Sequence, residues 1–272
     1  MTILVTGATG NAGGAVVESL AASGLPGKAL VRSEAALPDG ITAVYGDLND
    51  PDSFALDGVS GIFLLSGYNR VEDLLAKAKQ AGVERVVLLS SSSLAGTNTA
   101  NAIAAYHQAA EDAVRASGLE WTFLRPNSFM ANALRWLDQL RAGDTVRLQF
   151  PEVPISTIHP RDIADVAVAA FAGGSAGTTY RLTGPVALTP VEQLAILAEA
   201  LGRPLTAYPM TRAETHEALF ASMPAPYASA IEGFFGDGIV DETTVNDTVR
   251  EVTGHPARTF EEWARENAHR FS

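Results

Sequence analysis

The sequence predicts an α/β fold: a Rossmann-type, doubly wound parallel sheet with a smaller C-terminal substrate-cap region. In the first half of the 272 residues, short apolar runs alternate with helical stretches, which is the pattern of parallel strands joined by helical crossovers. The runs at 61–66 and 85–90 are apolar almost throughout, as expected for strands buried on both faces of a parallel sheet. A glycine-rich turn also separates the first strand from the first helix.

The elements can be assigned in order from these runs. We predict strands at 2–6, 28–32, 42–45, 61–66, 85–90 and 121–125, and helices at 11–22, 71–81 and 100–116. The second half is less regular, with helices at 128–141, 161–171 and 189–201, a strand at 179–183, and helices and loops over 211–272. Thr189 is the expected N-cap of its helix, with Pro190 at the first helical position.

Composition limits the function before any motif is considered. The chain has no cysteine, so disulfides, thiolate catalysis and cysteine-ligated metal centres are excluded, and no metal site is predicted. The net charge of −12 disfavours a nucleic-acid partner, because phosphate contacts need clustered basic residues. No apolar run reaches the roughly 18 residues that a membrane span needs, and no targeting signal is visible. We therefore expect a cytoplasmic protein with no membrane partner.

A phosphate-binding turn is the clearest motif. Gly7, Gly10 and Gly13 lie between the first predicted strand and the first predicted helix. The first glycine permits a tight turn, the second lets a pyrophosphate approach the backbone, and the third lets helix and strand pack closely. The helix N-terminus then offers N–H groups to phosphate oxygens. The flanking strand and helix favour a dinucleotide site over a purely structural turn.

The choice between NAD and NADP is made at the end of the second strand. An NAD site usually has an acidic residue there, whereas this chain has Arg32 and Ser33, which suit a 2′-phosphate and predict NADP(H). Glu34 leaves NAD open, since it could bind the ribose instead. After the third strand, Asp47 could accept from the adenine amino group while Leu48 packs on the ring, although Asp47 could equally be a turn residue.

Several segments together resemble one family. They are GATGNAGG at 7–14, YGDLNDPDSF at 45–54, VERVVLLSS at 83–91, YHQAAEDAVRASGLEWTFLRPNSFMANAL at 106–134, HPRDIADVAVAAF at 159–171 and TFEEWARENAHRF at 259–271. This series is similar to the NmrA-like atypical short-chain dehydrogenase/reductases over nearly the whole chain. That family contains quinone oxidoreductases, triphenylmethane-dye reductases, isoflavone-type reductases and NmrA-like sensors that bind nucleotide without catalysis.

The resemblance implies positions for the cofactor. The residues that would hold the pyrophosphate are Gly7, Thr9, Gly10, Asn11 and Ala12, with Arg32 at the 2′-phosphate. Those that would lie beside the adenosine ribose are Leu65, Ser66 and Gly67, and those that would border the nicotinamide are Pro126, Asn127, Ser128 and Phe129. Ser90 ends the fifth strand, at the carboxyl edge where ligands bind in such sheets.

The catalytic pair of ordinary short-chain dehydrogenases is absent. Those enzymes use Tyr-x-x-x-Lys, in which the lysine lowers the pKa of the tyrosine, but no lysine follows Lys79. If Tyr106 were the catalytic tyrosine, its lysine would stand at position 110, which is Ala110. The better alignment with the family that the chain resembles puts His107 at the lysine position and Ile103 at the tyrosine position.

Two residues remain as candidates for proton transfer. His107 could hydrogen-bond the ribose or a substrate oxygen or relay a proton, and it could equally be a helix histidine with no chemical role. Tyr106 is the weaker candidate acid, because adjacent helical side chains point about 100° apart.

Hydride transfer does not require a protein acid, since the cofactor supplies the hydride and the protein supplies orientation. We therefore predict an NADPH-dependent reductase of a quinone-like or conjugated aromatic small molecule. The alternative is an NADP(H)-sensing regulator without turnover. The NADP(H)-binding domain would cover 1–182, and a mostly helical substrate-cap region would cover 183–272 with contributions from about 127–155.

Overall fold

The computed structural model describes residues 1–95 and 101–271 and confirms the predicted α/β class. The strands are β1 Ile3–Val5, β2 Gly27–Val31, β3 Ile41–Tyr45, β4 Gly61–Leu65, β5 Arg85–Leu89, β6 Glu120–Pro126, β7 Thr145–Leu148, β8 Thr178–Leu182 and β9 Thr206–Pro209. Seven of them form a parallel sheet in the order β3-β2-β1-β4-β5-β6-β8. The strand order reverses between β1 and β4, and such sheets bind ligands outside the carboxyl ends at this point.

The helices cover both faces of the sheet. They are α1 Asn11–Ala22, α2 Val71–Gln80, α3 Ala102–Ala116, α4 Leu137–Ala142, α5 Pro160–Ala172, α6 Pro190–Leu201, α7 Arg212–Ser222, α8 Ala225–Ile231, α9 Thr248–Thr253 and α10 Phe260–Asn267. Alternate strand residues feed two cores: Val5 and Phe63 pack with α1 and α5, while Leu4 and Ile62 pack with α2 and α3. Among residues 1–95 and 101–271, no helix has the length and apolar character needed to cross a membrane.

Helix starts follow the predicted capping chemistry. The Thr189 hydroxyl accepts from Glu192 N at 3.2 Å, and the Glu192 carboxylate accepts from Thr189 N at 2.8 Å, which confirms the predicted cap of α6. α3 begins two residues later than predicted, at Ala102, because the Asn101 side chain caps it by accepting from Ala104 N at 2.8 Å. The predicted start at position 100 lies outside the described residues.

The second half departs from the prediction in two places. Residues 128–141 do not form one helix: a 3₁₀ segment over Met130–Trp136 precedes α4, and Asn132 N donates to Phe129 O in a tight turn. The parallel pair β7–β9 was not predicted, because its strands are short and far apart in sequence. These segments share a third core with α6 and α10.

Candidate active site

The turn after β1 has the geometry of an anion-binding site. Gly7 has a φ of +61°, a left-handed conformation that favours glycine, and Gly10 N donates to Gly7 O at 2.9 Å. No side chain caps the start of α1. Among the described residues, no acceptor pairs with the amides of Asn11, Ala12 and Gly13, so these N–H groups are available to phosphate oxygens.

Close packing holds this turn in place. A Cβ atom on Gly13 would lie 2.2 Å from Gly7 O, so the helix can approach the turn this closely only with glycine at that position. Thr9, Gly10 and Asn11 line one cavity of about 470 Å³ beside the turn. The structure thus brings the predicted pyrophosphate residues together at one edge of the sheet.

Arg32 follows the last residue of β2, at the same edge of the sheet as the glycine turn. Its side chain is exposed, and it forms no ion pair or hydrogen bond with any residue in 1–95 or 101–271. Ser33 and Glu34 are exposed as well. An unpaired guanidinium at this position is suited to a phosphate group.

The predicted adenine residues have structural contacts of their own. Asp47 Oδ1 accepts from Asn49 N at 2.9 Å and from Asn49 Nδ2 at 3.3 Å, so it stabilises the turn that follows β3. Leu48 is buried in the core with Phe54 and Leu56. The turn role that the sequence left open for Asp47 is therefore present, and the adenine contacts of both residues stay a prediction.

The chain after β4 runs beside the glycine turn. Leu65 N donates to Thr6 Oγ1 at 3.0 Å, and Ser66 Oγ donates to Leu89 O at 2.9 Å. Gly67 follows with a φ of +90°. Leu65, Ser66 and Gly67 line a cavity of about 490 Å³ together with Tyr106.

A cavity of about 390 Å³ lies at the carboxyl ends of β4, β5 and β6, and we call it the strand-end cavity. The predicted site residues that line it are Leu65, Ser66, Ser90, Tyr106, His107, Pro126, Asn127, Ser128 and Phe129. Residues predicted separately for the ribose, the nicotinamide and proton transfer therefore meet in one place.

The loop after β6 is held rigidly by buried hydrogen bonds. Asn127 is 1% exposed, and its Nδ2 donates to Ser156 Oγ at 2.8 Å and to Glu242 O at 3.2 Å. Ser128 N donates to Glu242 Oε2 at 2.7 Å, while Ser92 Oγ donates to Oε1. The side-chain amide of Asn127 thus hydrogen-bonds within the protein. It would affect a ligand indirectly, by fixing the position of the loop after β6.

Glu242 is a site residue that the sequence analysis missed. It is buried, it lines the strand-end cavity, and it contacts the loop predicted to border the nicotinamide. Burial raises its pKa above the ordinary value, and the hydrogen bonds from Ser92 and Ser128 oppose that shift. Nothing in the local sequence identifies Glu242 as a site residue. The neighbouring Asp241 is recognisable only as a turn residue, and its carboxylate accepts from Thr243 N and Thr244 N.

Tyr106 and His107 both face the strand-end cavity, and their ring centroids lie 4.2 Å apart. The expectation that these adjacent side chains diverge is therefore wrong, because both rings turn toward the same opening. Burial, together with the nearby Tyr227, raises the pKa of Tyr106 above 10. Burial lowers the pKa of His107 to about 4, with Glu111 opposing the shift, so this imidazole is neutral at pH 7.

His107 also carries an unpaired polar atom. Its Nδ1 is buried and has no hydrogen-bond partner among the residues that the structure describes. A buried polar atom without a partner is unfavourable, so this nitrogen is well placed to bind a ligand group.

Ser90 belongs to a buried charge network beneath the cavity. Its Oγ donates to Glu111 Oε1 at 2.6 Å, and Glu111 also accepts from Arg125 and Arg115. Burial pushes the pKa of Glu111 upward, but the hydrogen bonds from Arg125 and Ser90 outweigh it and the pKa falls below the ordinary value. The Ser90 hydroxyl therefore supports α3 and β6 as well as lining the cavity.

All three lysines lie away from Tyr106. The ammonium groups of Lys28, Lys77 and Lys79 donate to backbone carbonyls at the ends of surface elements, and none of the three lines the strand-end cavity. None of the three lysines is therefore placed beside Tyr106 at this cavity.

One group of side chains within 1–95 and 101–271 has the spacing of metal ligands, namely Asp162, Asp165 and His255. The Arg258 guanidinium contacts both carboxylates and already supplies a positive charge between them. These residues join the C-terminal segment to α5 and lie outside the strand-end cavity.

The residues at this edge fit a dinucleotide. Three amides at the start of α1 lack acceptors, Arg32 lacks an anionic partner, and His107 Nδ1 lacks a hydrogen bond within the described part of the chain. All lie toward the carboxyl ends of the parallel strands, around the switch point between β1 and β4.

Sequence comparisons agree with this geometry. A family model described as NAD(P)H-binding matches residues 7–173. The chain is 37% identical to the (4-alkanoyl-5-oxo-2,5-dihydrofuran-3-yl)methyl phosphate reductase of Streptomyces griseus, over 99% of this chain and 99% of that protein. It is 35% identical to the NAD(P)H azoreductase of Xenophilus azovorans, again over 99% of each chain.

Solved structures share the fold across the whole chain. The NADPH complex of the Escherichia coli quinone oxidoreductase QOR2 has a TM-score of 0.76 at 25% identity, covering 98% of this chain and 99% of that one. NmrA, a negative transcriptional regulator, has a TM-score of 0.73 at 24% identity, covering 97% and 94%. The likeness to the regulator concerns the fold alone, whereas the relatives at 35% and 37% identity are reductases.

Proposed function

The chain belongs to the NAD(P)H-binding family as an NmrA-like, NAD(P)H-dependent oxidoreductase, and we propose that it uses NADPH to reduce a conjugated, quinone-like small molecule. Arg32, which follows β2, is exposed and has no partner within 1–95 and 101–271. It supports NADPH over NADH, because a guanidinium can bind the 2′-phosphate with two charge-assisted hydrogen bonds. If this assignment fails, Glu34, two residues further on, is the group that would bind the adenosine ribose of NADH.

A single observation carries the proposal: a larger cavity with aromatic walls lies beside the strand-end cavity, and within residues 1–95 and 101–271 no lysine lines either one. The larger space, which we call the cap cavity, is about 890 Å³. Its apolar lining comes from Phe129, Trp136, Phe150, Met223 and Phe235. A flat apolar acceptor fits such walls, whereas the lysine-assisted tyrosine that ordinary short-chain dehydrogenases use for alcohol oxidation is not among the residues that line them.

The names of similar proteins support the same acceptor class. One relative is named as a reductase of an acyl-substituted oxo-dihydrofuran, and another is named as an azoreductase. The E. coli protein of similar structure is named as a quinone oxidoreductase. Each named group carries multiple bonds that accept a hydride readily. Such an acceptor suits a site that has no strong general acid.

The residues of the chain would act by holding the nicotinamide and the acceptor in position for hydride transfer. When bound, reduced nicotinamide supplies a hydride to the acceptor. The loop 126–129 would border the ring, and Glu242 keeps that loop in position through Ser128 N. His107, neutral at pH 7, would hydrogen-bond the ribose or an acceptor oxygen through its unpaired Nδ1. Phe234 and Phe235 contribute apolar surface to the cavity wall, and solvent would supply the product's proton.

We assign the nucleotide-binding part to residues 1–182 and the substrate cap to 183–272 with 127–155. The separate core shared by the 3₁₀ segment, β7, α6 and α10 supports this division, although Val249 of α9 packs with α1 and α5 in a core that flanks the sheet.

Anaerobic oxidation of NADPH against a panel of acceptors tests the proposal. The panel holds a naphthoquinone, an azo dye, a triphenylmethane dye and an enone, each also assayed with NADH, with a secondary alcohol and NADP⁺ as the control pair. We expect turnover with at least one conjugated acceptor, a preference for NADPH, and no oxidation of the alcohol. Tight NADPH binding without turnover of any acceptor would instead support the nucleotide-sensing alternative.

A further inference from the structure

The cap cavity adjoins the strand-end cavity. Both are lined by Ser128, Phe129, Asn132, Ile231 and Phe235, so a molecule in the cap cavity can reach the loop after β6. A substrate whose reacting part lies against Phe129 would therefore extend the rest of its structure into the cap cavity.

The charge of the cap cavity is opposite to that of the chain. The protein has 31 acidic and 19 basic residues, yet among the residues that the structure describes the cavity is lined by two arginines and by no aspartate or glutamate. Arg147 is already paired with Glu214 at 3.2 Å and lies over the Tyr208 ring. Arg135 is the other arginine, and its charge has no counterpart in the wall.

Arg135 has no partner in the described part of the chain. No ion pair or hydrogen bond joins it to any residue in 1–95 or 101–271, and its guanidinium lies 5.9 Å from the Trp136 ring centroid. The side chain is exposed and lines the cavity. An exposed guanidinium that lines a cavity and has no acidic partner is available to an anionic group of a ligand.

Two amide side chains extend this polar surface. Asn132 lies one 3₁₀ turn before Arg135, where side chains three residues apart share a face, and it lines both cavities. Gln149 lines the cap cavity from the segment after β7. The side chains of Asn132 and Gln149 have no hydrogen-bond partner in 1–95 or 101–271.

We propose that Arg135, assisted by Asn132 and Gln149, binds an oxyanion substituent of the substrate, so that the natural acceptor is a conjugated molecule carrying a phosphate, sulfonate or carboxylate group. The guanidinium provides paired donors in the planar arrangement that these groups accept. That this anion belongs to a substrate rests on the proposed reductase function, but anion binding itself can be tested without turnover.

Matched acceptors test the inference under turnover. Naphthoquinone and naphthoquinone sulfonate are compared in the wild type, in Arg135→Gln and in Arg141→Gln, which removes the same charge from the exposed side of α4. We expect Arg135→Gln to raise KM for the sulfonate by about tenfold or more, as for the loss of one charge-assisted contact. Its KM for the neutral quinone, its Kd for NADPH and all constants of Arg141→Gln should stay within about threefold.

Equilibrium binding separates this inference from the reductase proposal. Calorimetry with the NADP⁺-loaded protein measures naphthyl phosphate, naphthoate and uncharged naphthol, none of which needs to be reduced. We expect both anions to bind more tightly than naphthol, and Arg135→Gln to abolish that preference. Loss of the preference without any turnover of acceptors would retain the anion site and remove the reductase proposal. Equal binding of anions and naphthol by the wild type, or weakened NADPH binding in Arg135→Gln, would overturn the inference.

Discussion

The rings of Tyr106 and His107 lie against each other at the mouth of one cavity, with centroids 4.2 Å apart. The sequence puts His107 at the position that the lysine has in ordinary short-chain dehydrogenases, and Ile103 at the position of their tyrosine. Burial raises the pKa of the phenol and lowers that of the imidazole, so both groups stay neutral at physiological pH. The site is therefore equipped for positioning a ligand, and poorly equipped for proton exchange by tyrosine.

Cofactor preference should depend on Arg32. Loss of a charge-assisted phosphate contact costs on the order of 1.5–3 kcal/mol, so Arg32→Ala should weaken NADPH binding by about tenfold or more and leave NADH nearly unchanged. Fluorescence titration of both nucleotides measures this, with Arg141→Ala as the charge-matched control. Equal losses for the two nucleotides would make Glu34 the ribose ligand.

The glycine turn should separate binding from folding. Gly10 has φ −92° and ψ 176°, a conformation open to any residue, and a Cβ there would lie 3.3 Å from Gly7 O. Gly10→Val should thus fold and lose nucleotide binding, because its side chain would occupy the pyrophosphate position. Gly13→Ala should lower the melting temperature, since its Cβ would lie 2.2 Å from Gly7 O.

Thermal unfolding and nucleotide titration of both variants check this contrast. Full NADPH affinity in Gly10→Val would show that the turn is structural only.

The parts of the molecule that were predictable are those with local signals. Uninterrupted apolar runs placed the sheet strands within about two residues, and Thr189 marked the start of α6 through its hydroxyl. The position of Arg32 after β2 followed from the strand pattern as well. Such features depend on neighbouring residues, so a single sequence is enough to identify them.

The features that were missed depend on tertiary contacts. Glu242 lies in a loop and meets Ser128 across the fold, and the pairing of β7 with β9 joins distant segments. Arg135 is one of two arginines in the stretch 128–141, and only the fold shows that it lines a cavity to which the described part of the chain contributes no acidic residue. The local sequence pattern cannot show whether an acidic residue from a distant segment will pair with a given arginine.

Acid stability should depend on Glu111. Its folded pKa lies below the ordinary 4.5, so its contribution to the free energy of unfolding is present above that pH and is lost as the pH falls through the folded pKa. Glu111→Gln should cost about 2–3 kcal/mol at neutral pH, less than the ~3–5 kcal/mol of a fully buried pair, because Arg115 and Arg125 are partly exposed.

Urea unfolding between acidic and neutral pH measures this effect, with Glu120→Gln in the exposed pair with Arg85 as the control, expected to cost less than about 1 kcal/mol. The difference between wild type and Glu111→Gln should shrink on acidification. A difference that is independent of pH would mean that the carboxylate charge contributes nothing.

His107 should not titrate in the catalytic pH range. With its pKa at about 4, the imidazole stays neutral from pH 5 upward, and kcat/KM of the wild type should show no inflection near 6.5 that disappears in His107→Gln. The variant should bind NADPH a few-fold more weakly, through loss of the hydrogen bond to Nδ1. An inflection near 6.5 that His107→Gln removes would identify a charged histidine in the reaction.

The central claim is that reduction depends on hydride placement and not on an activated tyrosine. Single-turnover NADPH oxidation by a quinone-type acceptor in the wild type and in Tyr106→Phe tests it most directly. General acid catalysis contributes about 10²–10⁴-fold where it operates, so the account predicts a change of less than about tenfold in Tyr106→Phe. A loss of a hundredfold or more, with folding and NADPH affinity intact, would contradict the account and assign Tyr106 as the catalytic acid.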